Sequence, residues 1–215
     1  IFVILDAMKI VMSHTMGYCK GVSRALDMAQ NAIEDARRAG LPVYSLGKLI
    51  HNKQVCNRFA QEGMTEISGP EGHEKGLVVI RAHGVGDALR SDFLDAGYHI
   101  VDATCPVVKR NLLHIGRYAC THTILVVGHN KHPESTAMLE VLLDGKPITT
   151  KLITTLDDVV EPEDGVAYAV FVQTTFDQSL WAQIKDVLIS WRRKGVEVVF
   201  ANEVCPSSVN RRTAL

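Results

Sequence analysis

Short apolar, β-rich runs alternate with amphipathic helical runs along the whole chain, and no other feature restricts the fold as strongly. Runs such as 77–81 (LVVIR) and 123–127 (TILVV) are bounded by turn residues and read as strands. Between two of them, 22–39 sets Ala25, Met28, Ala29, Ala32, Ile33 and Ala36 at helical spacing, and Gly40-Leu41-Pro42 stops it. The same reasoning predicts strands at 9–13, 42–46, 98–101, 148–154, 167–172 and 196–200. Helices are predicted at 53–61, 87–96, 106–120, 135–143, 177–194 and onward from 206. Strands alternating with helices imply an α/β fold of repeated small units with mostly parallel sheets. The expected division is 8–107 for a first unit, 108–203 for a second, and 204–215 for the start of a third. The stop at residue 215, inside a helix, gives the expectation of a C-terminally truncated fragment with its third unit largely missing.

Charge and hydropathy exclude several classes. A net charge of −1 and a pI near 6.8 argue against nucleic acid or an anionic membrane as partner. No run reaches the ~18–20 apolar residues that cross a bilayer. The opening IFVILDAMKIVMS carries Asp6 and Lys9 and lacks a basic start and a cleavage site, so it does not read as a signal peptide. Met8 is the better natural start, with 1–7 upstream of it, and a cytoplasmic location is expected. Five cysteines, an odd number without an export signal, argue against a disulfide framework.

Three of those cysteines occupy matched places. Cys19, Cys105 and Cys205 each lie where a predicted strand or its turn meets a helix. Loops beyond the carboxyl ends of parallel strands are where α/β proteins collect ligands, so three such thiols can converge. A free cysteine is also an ordinary buried residue, and that reading suits Cys56 and Cys120 inside predicted helices. Zinc sites usually show paired Cys-x-x-Cys spacing, which is absent here. Three widely separated thiolates instead suit an iron–sulfur cluster with one iron left open, able to act as a Lewis acid.

Histidines fall at similar turns. His51, His83 and His132 follow strand-like stretches, and with helix N-termini they form a plausible phosphate or diphosphate cradle. His14, His73, His99, His114 and His122 read as solvated. Glu134 is either a proton carrier beside a metal or a helix-start charge. Gln173-Thr174-Thr175 closes the 167–172 strand, and its threonines read as helix caps.

Seven segments together resemble the 4-hydroxy-3-methylbut-2-enyl diphosphate reductase family of the non-mevalonate isoprenoid pathway. They are GYCKGVSRA (17–25), LIHN (49–52), RAHGV (81–85), DATCPVV (102–108), GHNKHPE (128–134), VQTTF (172–176) and VCPSSVNR (204–211). The resemblance implies three similar α/β units around a central [4Fe-4S] cluster held by Cys19, Cys105 and Cys205. It implies diphosphate binding by His51, His83 and His132, proton delivery by Glu134, and Thr174 close to the substrate hydroxyl. The substrate is then an allylic diphosphate, reduced to isopentenyl and dimethylallyl diphosphates with electrons from ferredoxin or flavodoxin. Competing readings are another three-cysteine [4Fe-4S] enzyme, such as a dehydratase or a quinolinate-synthase-like enzyme, and a non-enzymatic zinc-binding module.

Two departures from the family pattern stand out. Ser13-His14-Thr15-Met16 replaces a stretch that is more often Asn/Pro/Arg-like, which puts His14 near the expected cluster. The family's third unit carries a Ser-x-Asn motif and a later Ser that complete the diphosphate site and are expected beyond residue 215, and Cys205 is expected to be the least firmly held ligand. The chain as given is therefore expected to be inactive or nearly so. Robust turnover by purified residues 1–215 would show that expectation to be wrong.

Overall fold

The computed structural model describes residues 12–214. The predicted strand 9–13 and the Met8 start lie largely or wholly outside this range, and Met12 and Ser13 are irregular. The first described element is helix α1, Lys20–Ala39. Its buried face is mostly alanine (Ala25, Ala29, Ala32 and Ala36 beside Leu26 and Ile33), which lets the helix axis approach a sheet closely. Gly40, at φ 66°, ends it, with its N–H and that of Leu41 turned back onto the last carbonyls.

The first unit continues as β1 (Val43–Leu46), α2 (Lys53–Gln61), β2 (Met64–Ile67), β3 (Leu77–Ile80), α3 (Asp87–Asp95) and β4 (His99–Asp102). Helix α4 (Pro106–Tyr118) then leads to β5 (Thr123–Val127), α5 (Pro133–Leu139), a small hairpin of β6 (Leu142–Leu143) and β7 (Lys146–Pro147), and β8 (Thr150–Ile153). The chain goes on through β9 (Tyr168–Val172), α6 (Gln178–Arg193), β10 (Val198–Phe200) and α7 (Pro206–Thr213).

Two four-stranded sheets form, in the orders β2-β1-β3-β4 and β10-β9-β5-β8, and every pairing in them is parallel. Numbered within its own sheet, each runs second-first-third-fourth, so the two have the same topology. Among the described residues only the β6–β7 hairpin is antiparallel. Each sheet is covered on both faces. Val43 and Val79 face α1, whereas Tyr44, Val78 and Ile80 pack with Phe93 and Tyr98 on the other side. In the second sheet, Val170 and Val172 meet Trp181 and Leu188 of α6, while Ala169 and Phe171 meet Ile115 and Met138. Burial on both faces explains why LVVI and YAVFV are continuously apolar.

Several boundaries differ from expectation. β2 was not predicted, because its interior Thr65-Glu66 is exposed and only Met64 and Ile67 face inward. The predicted helix 135–143 starts earlier, at Pro133, and stops at Leu139. Asp144 and Gly145 adopt positive φ and form the hairpin turn instead. α4 ends at Tyr118, so Cys120 lies outside it and is exposed rather than buried.

Phe171 is fully buried at the centre of the second sheet. Phe171→Ala is expected to destabilise the fold by about 3–5 kcal/mol in urea unfolding, through lost burial and the cavity left behind.

Candidate active site

Both sheets change winding direction between their first and third strands, β1/β3 and β5/β9, and the loops beyond these carboxyl ends carry the polar residues. His51 follows β1 and His83 follows β3. His132 and Glu134 follow β5, and Thr174 follows β9. The fourth strands carry the cysteines, Cys105 after β4 and Cys205 after β10.

All three cysteines are helix N-caps: Cys19 of α1, Cys105 of α4 and Cys205 of α7. Ser, Thr, Asp or Asn at an N-cap stabilises a helix by about 1 kcal/mol relative to a non-capping residue. Cys19 accepts only a long 3.5 Å bond from the Val22 N–H, and Cys105 and Cys205 make no cap bond. Three poor caps at equivalent places point to another use of the sulfur. They line one cavity of about 800 Å3, including its solvent-open mouth, together with His83, Glu134 and Thr174. Gly21 keeps the thiols accessible to one another, since a Cβ there would fall 2.6 Å from the Cys105 Sγ and 3.9 Å from the Cys19 Sγ. A metal or a small inorganic cluster with thiolate ligands fits this donor set.

Cys205 is held more firmly than expected. Its N–H donates to the Thr174 carbonyl at 2.9 Å, as the Cys105 N–H does to the Ala82 carbonyl. Arg211 of α7 reaches the Gly17 carbonyl, and Arg212 reaches the Thr175 and Phe176 carbonyls.

The three loop histidines do meet. Ring centroids are 4.6 Å apart for His51 and His83, 5.6 Å for His51 and His132, and 5.4 Å for His83 and His132. Burial, with the His51 and His132 rings and Arg81 adding to it, pushes His83 down to about 3. Burial, His51, His129 and Arg81 push His132 down to about 4. Both rings are neutral at pH 7 and offer N–H groups rather than net charge. The His132 Nδ1 accepts the Glu134 N–H at 3.2 Å, so the proton of that ring is on Nε2.

Glu134 is 1% exposed. Its Oε1 accepts the Thr174 N–H and its Oε2 pairs with the Thr174 hydroxyl, both at 2.7 Å. Burial outweighs these two bonds and pushes its carboxyl up to about 7. Thr174 is therefore a partner of Glu134 and not a helix cap. The cap of α6 is Asp177, which accepts the Leu180 N–H.

Other expectations need correction. His14 is exposed and does not line the cavity. His122 is packed against Tyr118 at 5.3 Å and bonds Thr121, so it is not solvated. Sequence reasoning assigned no role to Gln173, Ser135 or Arg81. Gln173 is buried and accepts from the His129 N–H and the Ser135 hydroxyl, fixing the loop that carries His132. Arg81 packs its guanidinium against Gly47, has an unpartnered buried Nε, and is the permanent positive charge felt by His83 and His132. The visible signal for both is a polar side chain directly at the end of a fully apolar strand.

Comparison with known proteins is consistent across sequence and structure. The family model described as LytB protein matches residues 10–215. The 4-hydroxy-3-methylbut-2-enyl diphosphate reductase of Solidesulfovibrio magneticus is 33% identical over 210 residues, covering 95% of this chain and 72% of that protein. The reductase of the same name from Bacillus licheniformis is 32% identical, covering 97% of this chain and 66% of its own length. The Plasmodium falciparum E-1-hydroxy-2-methyl-but-2-enyl-4-diphosphate reductase structure, at 23% identity, shares the fold with a TM-score of 0.82, over 94% of this chain and 62% of that one. A solved (E)-4-hydroxy-3-methyl-but-2-enyl diphosphate reductase, described as the terminal enzyme of the non-mevalonate pathway, gives 0.79 at 26% identity, over 95% and 71%.

The buried carboxyl yields a pH-dependent prediction. The Glu134 value of about 7 lies above the ordinary 4.5. Its contribution to stability is therefore full below pH 4.5 and is lost as pH rises through 7. Glu134→Gln has no such loss. Urea titrations across that window should show the variant gaining on the wild type by up to about 3 kcal/mol as pH rises, and a pH-independent difference would contradict the assignment.

Proposed function

The chain belongs to the LytB family, and from that premise we propose that it acts as a 4-hydroxy-3-methylbut-2-enyl diphosphate reductase, with Cys19, Cys105 and Cys205 holding a [4Fe-4S] cluster. The same reading takes 8–107 and 108–203 as two α/β units with a third opening at 204, a cytoplasmic location, and ferredoxin or flavodoxin as electron donor. No helix among the described residues is long and apolar enough to cross a membrane.

The observation that carries the proposal is the convergence on one cavity of three N-cap thiols and the Glu134–Thr174 pair, with the imidazole cluster reaching that cavity through His83. Such a cluster supplies an open coordination position and one-electron redox chemistry. The protein's own side chains do the rest. The imidazoles of His51, His83 and His132 donate N–H bonds to the diphosphate, and Arg81 adds a fixed positive charge near His83 and His132. This fixes which end of the substrate faces the thiols.

Glu134 is then a buried acid lining the same cavity, next to the His132 ring that accepts its N–H. When it carries a proton, its Oε2–H donates to the Thr174 hydroxyl, whose own hydrogen turns into the cavity. When it is ionised, the Thr174 hydroxyl turns back to donate to Oε2. The pair can thus pass a proton to a substrate hydroxyl without water entering, and a carboxyl poised near pH 7 suits that step. The net change takes two electrons and two protons, breaks the C–O bond and releases water.

A zinc ion held by the histidine trio fits less well. Ligation of a metal by the His132 Nε2 would need the ring proton on Nδ1, where it would oppose the Glu134 N–H.

Anaerobic purification with iron and acid-labile sulfide analysis tests the ligand set. Serine at Cys19, Cys105 or Cys205 should abolish iron retention, whereas serine at Cys56 or Cys120 should leave it intact. Colourless, zinc-loaded protein, or equal iron loss at Cys56, would overturn the reading. In turnover assays of protein that also carries the third unit, His83→Ala should chiefly raise KM, and Glu134→Gln should lower kcat by roughly 10²–10⁴-fold.

A further inference from the structure

The reduction proposed above consumes two electrons, and an external carrier would deliver them across the protein surface. One face is built differently from the rest. A groove between α1 and α4 is lined by Arg24, Lys109, Arg110 and Arg117 around Pro106 and Leu113. All four cations are exposed, and Leu113, at 61% exposure, is among the most exposed large apolar side chains described. A second cavity continues from it through Arg24 and Pro106, adds Lys20 and Arg211, and reaches Cys19, Cys105 and Cys205.

Little on this face neutralises the charge. Among the described residues Lys20, Arg24, Arg110 and Arg117 form no ion pair within 4.0 Å, and only Lys109 is matched, by a mostly buried Asp102 at 2.8 Å. The chain as a whole carries −1, so positive charge is concentrated here while the remaining surface is net acidic. An apolar centre ringed by cations has the composition of a transient protein interface. Its position matters as much as its charge. Cys105 caps α4, and Lys109 and Arg110 lie in the next turn and a half of that helix, so a partner seated in the groove sits directly behind the thiol.

We propose that the basic groove between α1 and α4 is the docking surface for an acidic, one-electron carrier protein that delivers electrons past Cys105. This inference rests on the reductase reading, because it requires a centre to reduce. The charge steers the encounter, and Pro106 and Leu113 provide the dry contact.

The test uses the complete, cluster-loaded protein and the double charge reversal Arg110→Glu/Arg117→Glu, at positions that do not touch the substrate cavity. Two electron sources are compared: a reduced acidic [2Fe–2S] ferredoxin and dithionite with a small viologen dye. The expected result is a tenfold or greater fall in kcat/KM with ferredoxin, a loss of its salt dependence, and unchanged turnover with the dye. Arg110→Lys/Arg117→Lys should retain wild-type behaviour. Calorimetric binding of oxidised ferredoxin should weaken in parallel, a readout independent of activity. Equal ferredoxin binding by wild type and charge reversal would overturn the proposal. So would an equal fall with the dye, which would assign the charge to substrate entry, or tighter binding of a single-stranded oligonucleotide lost in the same variant. Absence of dye-driven turnover in the wild type would instead refute the reductase reading, while the binding measurement would still decide the docking surface.

Discussion

Parallel strand pairing, in register through two separate sheets, is the constraint on which the rest of the molecule depends. It sends every strand of a sheet out at the same edge, so each loop that follows a strand starts from a common shelf. Because both sheets share one strand order, both have a change of winding direction at the same place. Those two places supply the histidines and the Glu134–Thr174 pair, and the fourth strand of each sheet supplies a cysteine. No single segment contains the site. It exists because two copies of one topology present the same edges to a shared cavity.

The electrostatics of that cavity follow from the burial of its ionisable groups. Burial suppresses charge on His83 and His132 and on Glu134 alike, though in opposite directions of pKa. Neutral imidazoles that donate N–H bonds and a carboxyl able to hold its proton coexist without mutual cancellation. Permanent charge is supplied from behind, by Arg81, and from outside, by the α1–α4 groove. Asp102 shows the contrasting case. Burial alone would raise its carboxyl, but bonds from Lys109 and Thr104 hold it down to about 2, and it stays ionised as the anchor of the Cys105 loop.

Much of this was legible in the sequence because period and turn chemistry are local signals. α1 and α6, the apolar strands β3, β5 and β9, and the three cysteines at strand-to-helix turns are all written in runs of neighbouring residues. The failures have a common physical origin in contacts remote along the chain. β2 is specified by pairing with β1 rather than by its own polar interior. Thr174 looked like a cap because its partner, Glu134, is 40 residues away. Cys120 looked buried until α4 proved to stop two residues short. Gln173 and Arg81 are only weakly legible, because a polar residue closing an apolar strand does not say which loops it ties.

The two backbone bonds from the Cys105 N–H to Ala82 and from the Cys205 N–H to Thr174 have a consequence for how such a molecule fails. Each joins a loop bearing a thiol to a loop bearing another cavity-lining residue, His83 in one case and Thr174 in the other. The two kinds of loop are thereby mechanically continuous. On the proposed reading, damage to the cluster would not leave behind an intact but unpowered pocket. It would slacken the histidine loop and the Glu134–Thr174 pair together, so redox competence and substrate recognition would be lost as a single event.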